Sequence, residues 1–293
     1  MNDAVLLNGD KPAIGIIGTG WVGASYAKDF SSRGLQPVCY SLEPQFSANK
    51  SLIGDCDIVF IAVPTPTEQH GASYTILREV LQLVGTGKIA VIKSTVLPGT
   101  TRMLQQENPQ IIVLHSPEFL SVATADHDAA YPKRNIIGIP FDDEGYQQAA
   151  TRVLEVLPSA PYTSVCLAAN AELIKYAHNA GGYLRIVFNN MLYDISQQTG
   201  GNWEEVRTAM AAAYPDSELQ YLNPVHKNGR GAGGPCFIKD FSAFTTFYKA
   251  FGDEVGLGML SAIQAKNISL LEASGKDLDI LYTVHPDIIP MEK

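Results

Sequence analysis

The sequence predicts an α/β protein, in which a doubly wound parallel sheet is followed by an all-helical domain built on a long central helix. Three observations predict this fold. Short apolar runs alternate with helical stretches over the first 166 residues. A glycine-rich turn, Gly18 to Gly23, directly follows the first apolar run. From residue 167 a helical pattern without proline continues for about 30 residues.

Length and composition agree with two domains, predicted at residues 1–166 and 167–293. The chain has 293 residues, of which 46% are hydrophobic and 17% charged. Its net charge of −9, without a basic cluster, argues against nucleic acid or an anionic membrane as a partner. An anionic small molecule stays possible if its site collects local positive charge.

The chain ends and the cysteines indicate a cytoplasmic protein. The N-terminus lacks the basic and apolar regions of a signal peptide, and no apolar run approaches the roughly 20 residues of a membrane span. The cysteines have no CxxC or metal-ligand spacing, so we predict reduced thiols and no metal; they are Cys39, Cys56, Cys166 and Cys236.

The first elements fit a Rossmann-type nucleotide-binding domain. A strand at 12–17 leads into the G-x-G-x-x-G turn, and a helix follows at 22–32. Such glycines allow a tight turn, close approach of a pyrophosphate and close packing of helix on strand. The second strand, 36–41, ends at Ser41 where an NAD site usually has an acid, and Glu43 comes two residues later. The residues favour NAD over NADP only weakly.

The remaining strands place polar loops at the carboxyl edge of the sheet, where ligands bind in such folds. Strands are predicted at 58–63, 88–93, 110–115, 135–139 and 162–166, and helices at 72–84 and 142–157. The edge loops are P-T-P-T after the third strand, Ser94-Thr95 after the fourth and S-P-E-F-L, with Glu118, after the fifth. Each polar residue has the alternative of a simple cap or turn former. Pro98 is expected in the first turn of the next helix.

The second domain opens with a helix predicted at 167–198. Lys175 and Asn179 share one face, with Glu172 alongside; an ordinary surface salt-bridge stripe is the alternative. Further helices are predicted at 202–213, 239–251 and 257–273, and a final strand at 278–284.

The stretch Asn228 to Asp240, N-G-R-G-A-G-G-P-C-F-I-K-D, carries the strongest chemical signal. A glycine loop running into a helix start exposes backbone N–H groups, and a helix start lowers a thiol pKa. Cys236 is then a candidate nucleophile, with Asp240 one turn further on. A glycine turn before a helix that carries a buried cysteine is the alternative.

Taken together, the segments resemble the UDP-glucose/GDP-mannose dehydrogenase family of nucleotide-sugar 6-dehydrogenases. The matching motifs occur in the family's order; they are G-T-G-W-V-G, V-P-T-P, K-S-T-V-L-P-G-T, S-P-E-F-L, A-E-L-I-K-Y-A-H-N-A and G-R-G-A-G-G-P-C-F-I-K-D. Six ordered motifs are far more specific than any one of them.

The resemblance implies oxidation of a sugar C6 alcohol to a carboxylate in two hydride transfers to NAD⁺. Cys236 would form a thiohemiacetal and then a thioester. Lys175 and Asn179 would stabilise the oxyanion. Asp240 and Thr95 would place a water for proton transfer, with Lys175 as the rival base, and Glu118 would assist hydrolysis of the thioester.

The resemblance also implies binding residues for cofactor and substrate. NAD would contact the residues Gly18, Gly20, Trp21, Val22, Gly23, Ser41, Val63, Pro64, Thr65, Ser94, Thr95 and Lys239. The sugar nucleotide would contact Glu118, Phe119, Leu120, Lys175, Asn179, Gly229, Gly231, Gly233 and Cys236. A homodimer through the long helix is implied as well.

Several features depart from the family pattern. The sequence ends where the family's third, nucleotide-binding domain would begin, an Arg-Ile-Gly segment is missing, and Ser121-Val122-Ala123 replaces the usual R-E-G. Two alternatives therefore stay open. One is a two-electron dehydrogenase of the β-hydroxyacid type, which would use Lys175 and Asn179. The other is a turnover-deficient binding subunit that needs a partner chain.

Overall fold

The structure is a computed structural model, and it describes residues 11–68, 71–213, 219 and 221–288. Its centre is a seven-stranded sheet in the order β2-β1-β3-β6-β7-β8-β9. The strands are β1 (Ile14–Ile17), β2 (Val38–Tyr40), β3 (Ile58–Ile61), β6 (Ile89–Ile92), β7 (Ile112–His115), β8 (Arg134–Ile139) and β9 (Tyr162–Leu167). All neighbours pair in parallel except β7 and β8, which join antiparallel at His115 and Gly138.

The central strands are apolar on both faces because both faces are covered. In β3, Ile58 and Phe60 point into one hydrophobic cluster, while Val59 and Ile61 point into the other. The helices and turns between strands are α1 (Trp21–Ser32), α2 (Pro44–Ser47), the 3₁₀ helix Ala48–Asp55, α3 (Thr75–Leu81), α4 (Thr100–Glu107), α5 (Ala125–Ala130) and α6 (Glu144–Val156). The predicted doubly wound sheet is confirmed.

A helical region follows the sheet and begins with the long helix α7 (Ala168–Gln198). The later helices are α8 (Trp203–Ala211), α9 (Gly234–Tyr248), α10 (Glu254–Ser274) and α11 (Leu278–Val284). Tyr183 of α7 stacks on Phe241 of α9 with ring centroids 4.0 Å apart. Two short hairpins, β4 (Thr67–Glu68) with β5 (Gly71–Ala72) and β10 (Val225–His226) with β11 (Gly229–Arg230), were not predicted.

Contacts divide the chain into two units. The first comprises the described residues up to Thr65 together with Tyr74–Lys175, and the second comprises Pro66–Ser73 and the described residues from Tyr176 onward. The hairpin β4–β5 therefore belongs to the second unit although it follows β3 in sequence. The sequence-based division at residue 166 stays a prediction.

The segment 278–284 was predicted as a strand and is the helix α11. That prediction was wrong because Leu278 and Leu281, one turn apart, both face the apolar cluster around Ile238 and Leu271. Helix α9 begins at Gly234, five residues before the predicted start at 239, so Cys236 lies in its first turn. Pro98 precedes α4 by two residues; Gly99, at φ +96°, is the residue directly before that helix. None of the helices in the described ranges combines the length and hydropathy that a membrane crossing demands.

Candidate functional site

The glycine turn between β1 and α1 has the shape that a dinucleotide requires. Gly18 has φ +91°, and a Cβ there would lie 2.3 Å from the carbonyl oxygen of Ala62. A Cβ on Gly23 would lie 1.9 Å from the carbonyl oxygen of Gly18, whereas the space around Gly20 is open. The first turn of α1, with Trp21 and Val22, has no side-chain cap, so its backbone N–H groups are available to a phosphate. These residues fit NAD.

A carboxylate, that of Glu43, lies three residues after the end of β2. The hydroxyl of Thr19, inside the glycine turn, lies 2.7 Å from the hydroxyl of Ser41 and 3.0 Å from Oε1 of Glu43. A carboxylate beside the glycine turn is the group that accepts hydrogen bonds from an adenosine ribose. The sequence contained this signal at Glu43, two residues after the expected position.

Two of the predicted loops at the carboxyl edge are tied together. Ser94 Oγ donates to the carbonyl oxygen of Val63 at 2.7 Å, and Thr65 Oγ1 donates to the carbonyl oxygen of Thr95 at 2.8 Å. Pro64 lies exposed between the two bonded residues. The structure thus brings the predicted cofactor residues of these two loops together.

Glu118 and Lys175 form a buried ion pair in the first unit. Lys175 Nζ lies 3.1 Å from Glu118 Oε1, and the residues are only 5% and 6% exposed. The second oxygen of Glu118 accepts from the backbone N–H of Leu120 at 2.8 Å. Arg134 and Lys175 lie 3.5 and 5.4 Å from the ring centroid of Phe119, so two cations lie near the same aromatic ring.

A second buried lysine lies close to this pair, and no motif in the sequence points to it. Lys93 is 3% exposed, donates to Ser116 Oγ at 3.0 Å and lies 4.4 Å from the ring centroid of Tyr26. Burial lowers the pKa of Lys93 to about 7, and the charge of Glu118 opposes this fall. Burial and the charge of Lys93 lower the pKa of His115 to about 3.

Glu172 does not belong to a surface salt-bridge stripe, so that alternative is wrong. Its side chain is fully buried and accepts three hydrogen bonds from the start of α4. The donors are Gly99 N at 2.6 Å, Thr101 N at 2.7 Å and Thr101 Oγ1 at 2.6 Å. Burial raises the pKa of the Glu172 carboxyl, and the bonds from Thr101 and Gly99 oppose the rise. Glu172 therefore fixes the loop that follows Ser94 and Thr95.

In the second unit, Asn179 and Asp240 meet. Asn179 Nδ2 donates to Asp240 Oδ2 at 2.6 Å, and both side chains are buried. Lys239, predicted to bind the cofactor, places its ammonium 2.6 Å from the other oxygen of Asp240. Its carbonyl oxygen accepts from Thr67 of the hairpin β4–β5 at 3.2 Å. Cys236 is partly buried one turn before Asp240 on α9.

The glycine loop Gly229–Gly234 is held by side chains from α10 and the turn after it. Asn267 accepts from Ala232 N at 2.7 Å and donates to Ala232 O at 3.0 Å. Lys276 and Asp277 contact the loop as well, and no motif in the sequence pointed to them. Within the described residues, no group of three or more His, Cys, Asp or Glu side chains could hold a metal ion.

Many known proteins are similar to this chain, and three of them illustrate the likeness. UDP-glucose 6-dehydrogenase of Rhizobium meliloti is 30% identical over an alignment of 207 residues, and the match covers 65% of this chain and 46% of that protein. A UDP-glucose dehydrogenase structure from Pyrobaculum islandicum is 25% identical with a TM-score of 0.71, covering 90% of this chain and 68% of that one. The 3-hydroxyisobutyrate dehydrogenase of Mycobacterium tuberculosis has a TM-score of 0.70 at 16% identity, covering 96% and 100%; it shares the fold.

The chain thus spans about half the length of the curated relatives it matches. Two models of one family match most of it. The NAD binding domain of the UDP-glucose/GDP-mannose dehydrogenase family matches residues 41–156, and the family's central domain matches residues 169–268. Five of the six motifs lie within these two ranges, and the dinucleotide turn, Gly18 to Gly23, precedes the first range. The chain belongs to the UDP-glucose/GDP-mannose dehydrogenase family, and its first unit carries the NAD-binding domain of that family.

Proposed function

We propose that this chain oxidises the C6 alcohol of a nucleotide sugar to the carboxylate in two hydride transfers, with Cys236 as the nucleophile. The substrate would be UDP-glucose, giving UDP-glucuronate, or a related UDP-sugar. The names of the relatives support this substrate class. The residues at the site support the reaction type.

One observation carries the proposal, namely the buried bond between Asn179 and Asp240. It joins the helix of Lys175 to the helix of Cys236. Asn179 lies one turn after Lys175 on α7, and Asp240 lies one turn after Cys236 on α9. A chance motif match would give the same letters but would not require these two side chains to meet.

Cys236, Lys175 and Asn179 would act at the aldehyde stage of the proposed reaction. Once the alcohol has become an aldehyde, the Cys236 thiolate adds to its carbon, a C–S bond forms and the carbonyl oxygen becomes an oxyanion. Lys175 and Asn179 stabilise that oxyanion as positioned donors. Bound NAD⁺ would supply the chemistry of the two oxidations by accepting a hydride in each.

Hydrolysis would complete the sequence. Water attacks the thioester carbon, the C–S bond breaks, and the carboxylate leaves with Cys236 restored as a thiol. Glu118, held by Lys175, would take the proton of that water. Before hydrolysis, Asp240 and Thr95 would position a water molecule for proton transfer. Lys175 is the alternative base for that transfer.

The test counts NADH per substrate for a panel of UDP-glucose, UDP-N-acetyl sugars and GDP-mannose. The proposal requires two NADH and one acid per sugar consumed. Cys236→Ser should stop acid formation, and Cys166→Ser is the matched control because Cys166 lies in β9. A Cys236→Ser enzyme that makes the acid at the full rate would refute the nucleophile.

The same count separates the alternatives. A two-electron dehydrogenase of the β-hydroxyacid type would give one NADH per substrate and would leave Cys236 without a role. A binding subunit without turnover would give none, while still binding NAD⁺ and UDP-sugars in a titration.

A homodimer and a cytoplasmic location stay part of the proposal. On α7, Phe188, Met191 and Ile195 follow one face at helical spacing and are 58%, 46% and 58% exposed. That apolar face is suited to a second copy of the chain. Light scattering on wild type and Phe188→Asp should give a dimer and a monomer, respectively.

A further inference from the structure

We propose that the turn Ser274–Asp277, at the C-terminal end of α10, is a positioning clamp for the glycine loop Gly229–Gly234 and, through it, for Cys236. The role given to Cys236 rests on the proposed function. The clamp itself rests on contacts within the second unit. We call these four residues, Ser-Gly-Lys-Asp, the SGKD turn.

Three side chains of the SGKD turn and α10 hold the loop backbone directly. Ser274 Oγ accepts from Arg230 N at 3.0 Å. Lys276 Nζ donates to the carbonyl oxygen of Gly231 at 2.8 Å, and Asp277 Oδ2 accepts from Gly234 N at 2.8 Å. The loop is therefore bonded at its start, in its middle and at its end.

The fit explains two of the loop glycines. A Cβ on Gly229 would lie 2.6 Å from Cβ of Lys276, and a Cβ on Gly233 would lie 2.1 Å from Oδ2 of Asp277. Both glycines were predicted to let a substrate approach. In the structure the space beside them is filled by the SGKD turn, so these glycines serve the clamp.

The backbone of the clamp is strained at Asp277. Its φ of +51° is in the left-handed region, which non-glycine residues rarely adopt, although Asp and Asn tolerate it best. Gly275, at φ +67°, ends α10 in the usual way. Strain of this kind persists where surrounding contacts hold it, and here the contact is the hydrogen bond that Gly234 N donates to Asp277.

That bond acts at the start of the helix that bears Cys236. Gly234 is the first residue of α9, and its N–H has no partner within the helix. Gly233 supplies no side-chain cap, so the Asp277 carboxylate satisfies the first N–H from outside. Cys236 follows two residues later, and fixing Gly234 fixes the turn that presents the thiol.

The experiment measures hydrogen exchange of a peptide covering residues 228–240 in the full chain. Asp277→Gly keeps the left-handed backbone but removes the acceptor, so exchange should be about tenfold faster because a bond to a charged group is lost. Asp277→Asn keeps both an acceptor and the backbone preference and should exchange at nearly the wild-type rate. Asp279→Asn, the same change two residues on, is the matched control.

Catalysis and thiol chemistry give a second readout. With Asp277→Gly, kcat should fall while KM changes little, and the alkylation rate of Cys236 should change while those of Cys39, Cys56 and Cys166 do not. Wild-type exchange in Asp277→Gly, or equally fast exchange in Asp277→Asn, would overturn the clamp. If Asp277→Gly does not fold, Lys276→Met provides the test because it leaves the Gly231 carbonyl without its donor.

Failure of the clamp and failure of the proposed function are distinguishable. Hydrogen exchange and alkylation need no turnover. A chain that oxidises no sugar but shows the expected exchange pattern keeps the clamp and loses only the function.

Discussion

Lys175 and Glu118 form a buried ion pair in the candidate site. Removing one partner leaves the other buried and uncompensated, which is costlier than removing both. We predict that Lys175→Met and Glu118→Gln each lower the free energy of unfolding by about 3 kcal/mol. The double variant should lose at least about 1 kcal/mol less than the sum of the two.

Urea denaturation of the four proteins at one pH measures this coupling. Lys133→Met and Glu79→Gln provide a control pair in the first unit, and they should shift stability by less than about 0.5 kcal/mol each. Additive losses in the Lys175 and Glu118 variants would contradict the pairing.

Glu43 is the residue at which we expect NAD to be distinguished from NADP. Its carboxylate lies beside the glycine turn through Thr19, so it should accept hydrogen bonds from the ribose and repel a 2′-phosphate. Glu43→Gln should weaken NAD⁺ binding by about tenfold and narrow the preference over NADP⁺. Calorimetric titration checks both, with Glu79→Gln as the control. An unchanged preference would show that the ribose is held elsewhere.

At the residue scale, the sequence motifs indicate which residues belong to the candidate site, but they do not indicate which of those residues contact each other. The motifs predict site roles for Glu118, Lys175, Asn179 and Asp240, and the structure pairs Glu118 with Lys175 and Asn179 with Asp240. Their catalytic roles stay predictions. The partners of the glycine loop were missed because Asp277 bonds a residue 43 positions away, and local spacing does not encode such a contact.

Among the elements, α4 depends on a residue of another helix. Its first N–H groups are satisfied by Glu172 of α7, since Gly99 has no side chain to cap them. Glu172→Ala would leave buried donors unpaired, and we predict a loss of about 3 kcal/mol in unfolding free energy. Urea denaturation measures it, with the exposed Glu155→Ala as control.

A second consequence concerns activity. The loop with Ser94 and Thr95 ends at the start of α4, so Glu172→Ala should also raise the KM for NAD⁺. Stability and KM equal to those of the control would contradict the assigned cap.

Element types were predictable wherever the apolar period was clear. The buried strands β1, β3 and β6 and the helix α7 lie close to their predicted ranges. The segment at α11 was ambiguous because L-D-I-L-Y-T-V suits a strand by composition but a helix by the spacing of Leu278 and Leu281. Tertiary packing against α9 and α10 decided between the two.

The stability of the whole molecule should depend on pH through His115. Its ring is fully buried. Because burial lowers its folded pKa to about 3, the unfolded chain binds a proton near pH 6.5 that the folded chain does not. Stability contributed by the neutral ring is therefore present above pH 6.5 and lost progressively as pH falls toward 3.

We predict that His115→Met reduces the difference in unfolding free energy between pH 7.5 and pH 5.0 by about 2 kcal/mol. Urea titrations at the two pH values measure it. The exposed His127→Met is the control and should leave the difference unchanged. An equal pH dependence in wild type and His115→Met would show that the ring becomes protonated in the folded protein.

For the molecule as a whole, the sequence was sufficient for the fold class. Alternating strands and helices followed by a helical region predict the sheet and α7 from periodicity and glycine placement alone. The sequence does not predict which segments pack together, because that depends on contacts between residues far apart in the chain. The hairpin β4–β5 belongs to the second unit, and nothing in P-T-P-T distinguishes that from a loop of the first.

This hairpin has a consequence for modular exchange between family members. The chain passes between the two units three times, after Thr65, after Ser73 and after Lys175. A fragment that starts at Tyr176 would lack Thr67, whose hydroxyl bonds the carbonyl oxygen of Lys239. A chimera should therefore exchange residues 66–73 together with the rest of the second unit. Such an exchange needs three junctions, namely after Thr65, after Ser73 and after Lys175 in α7.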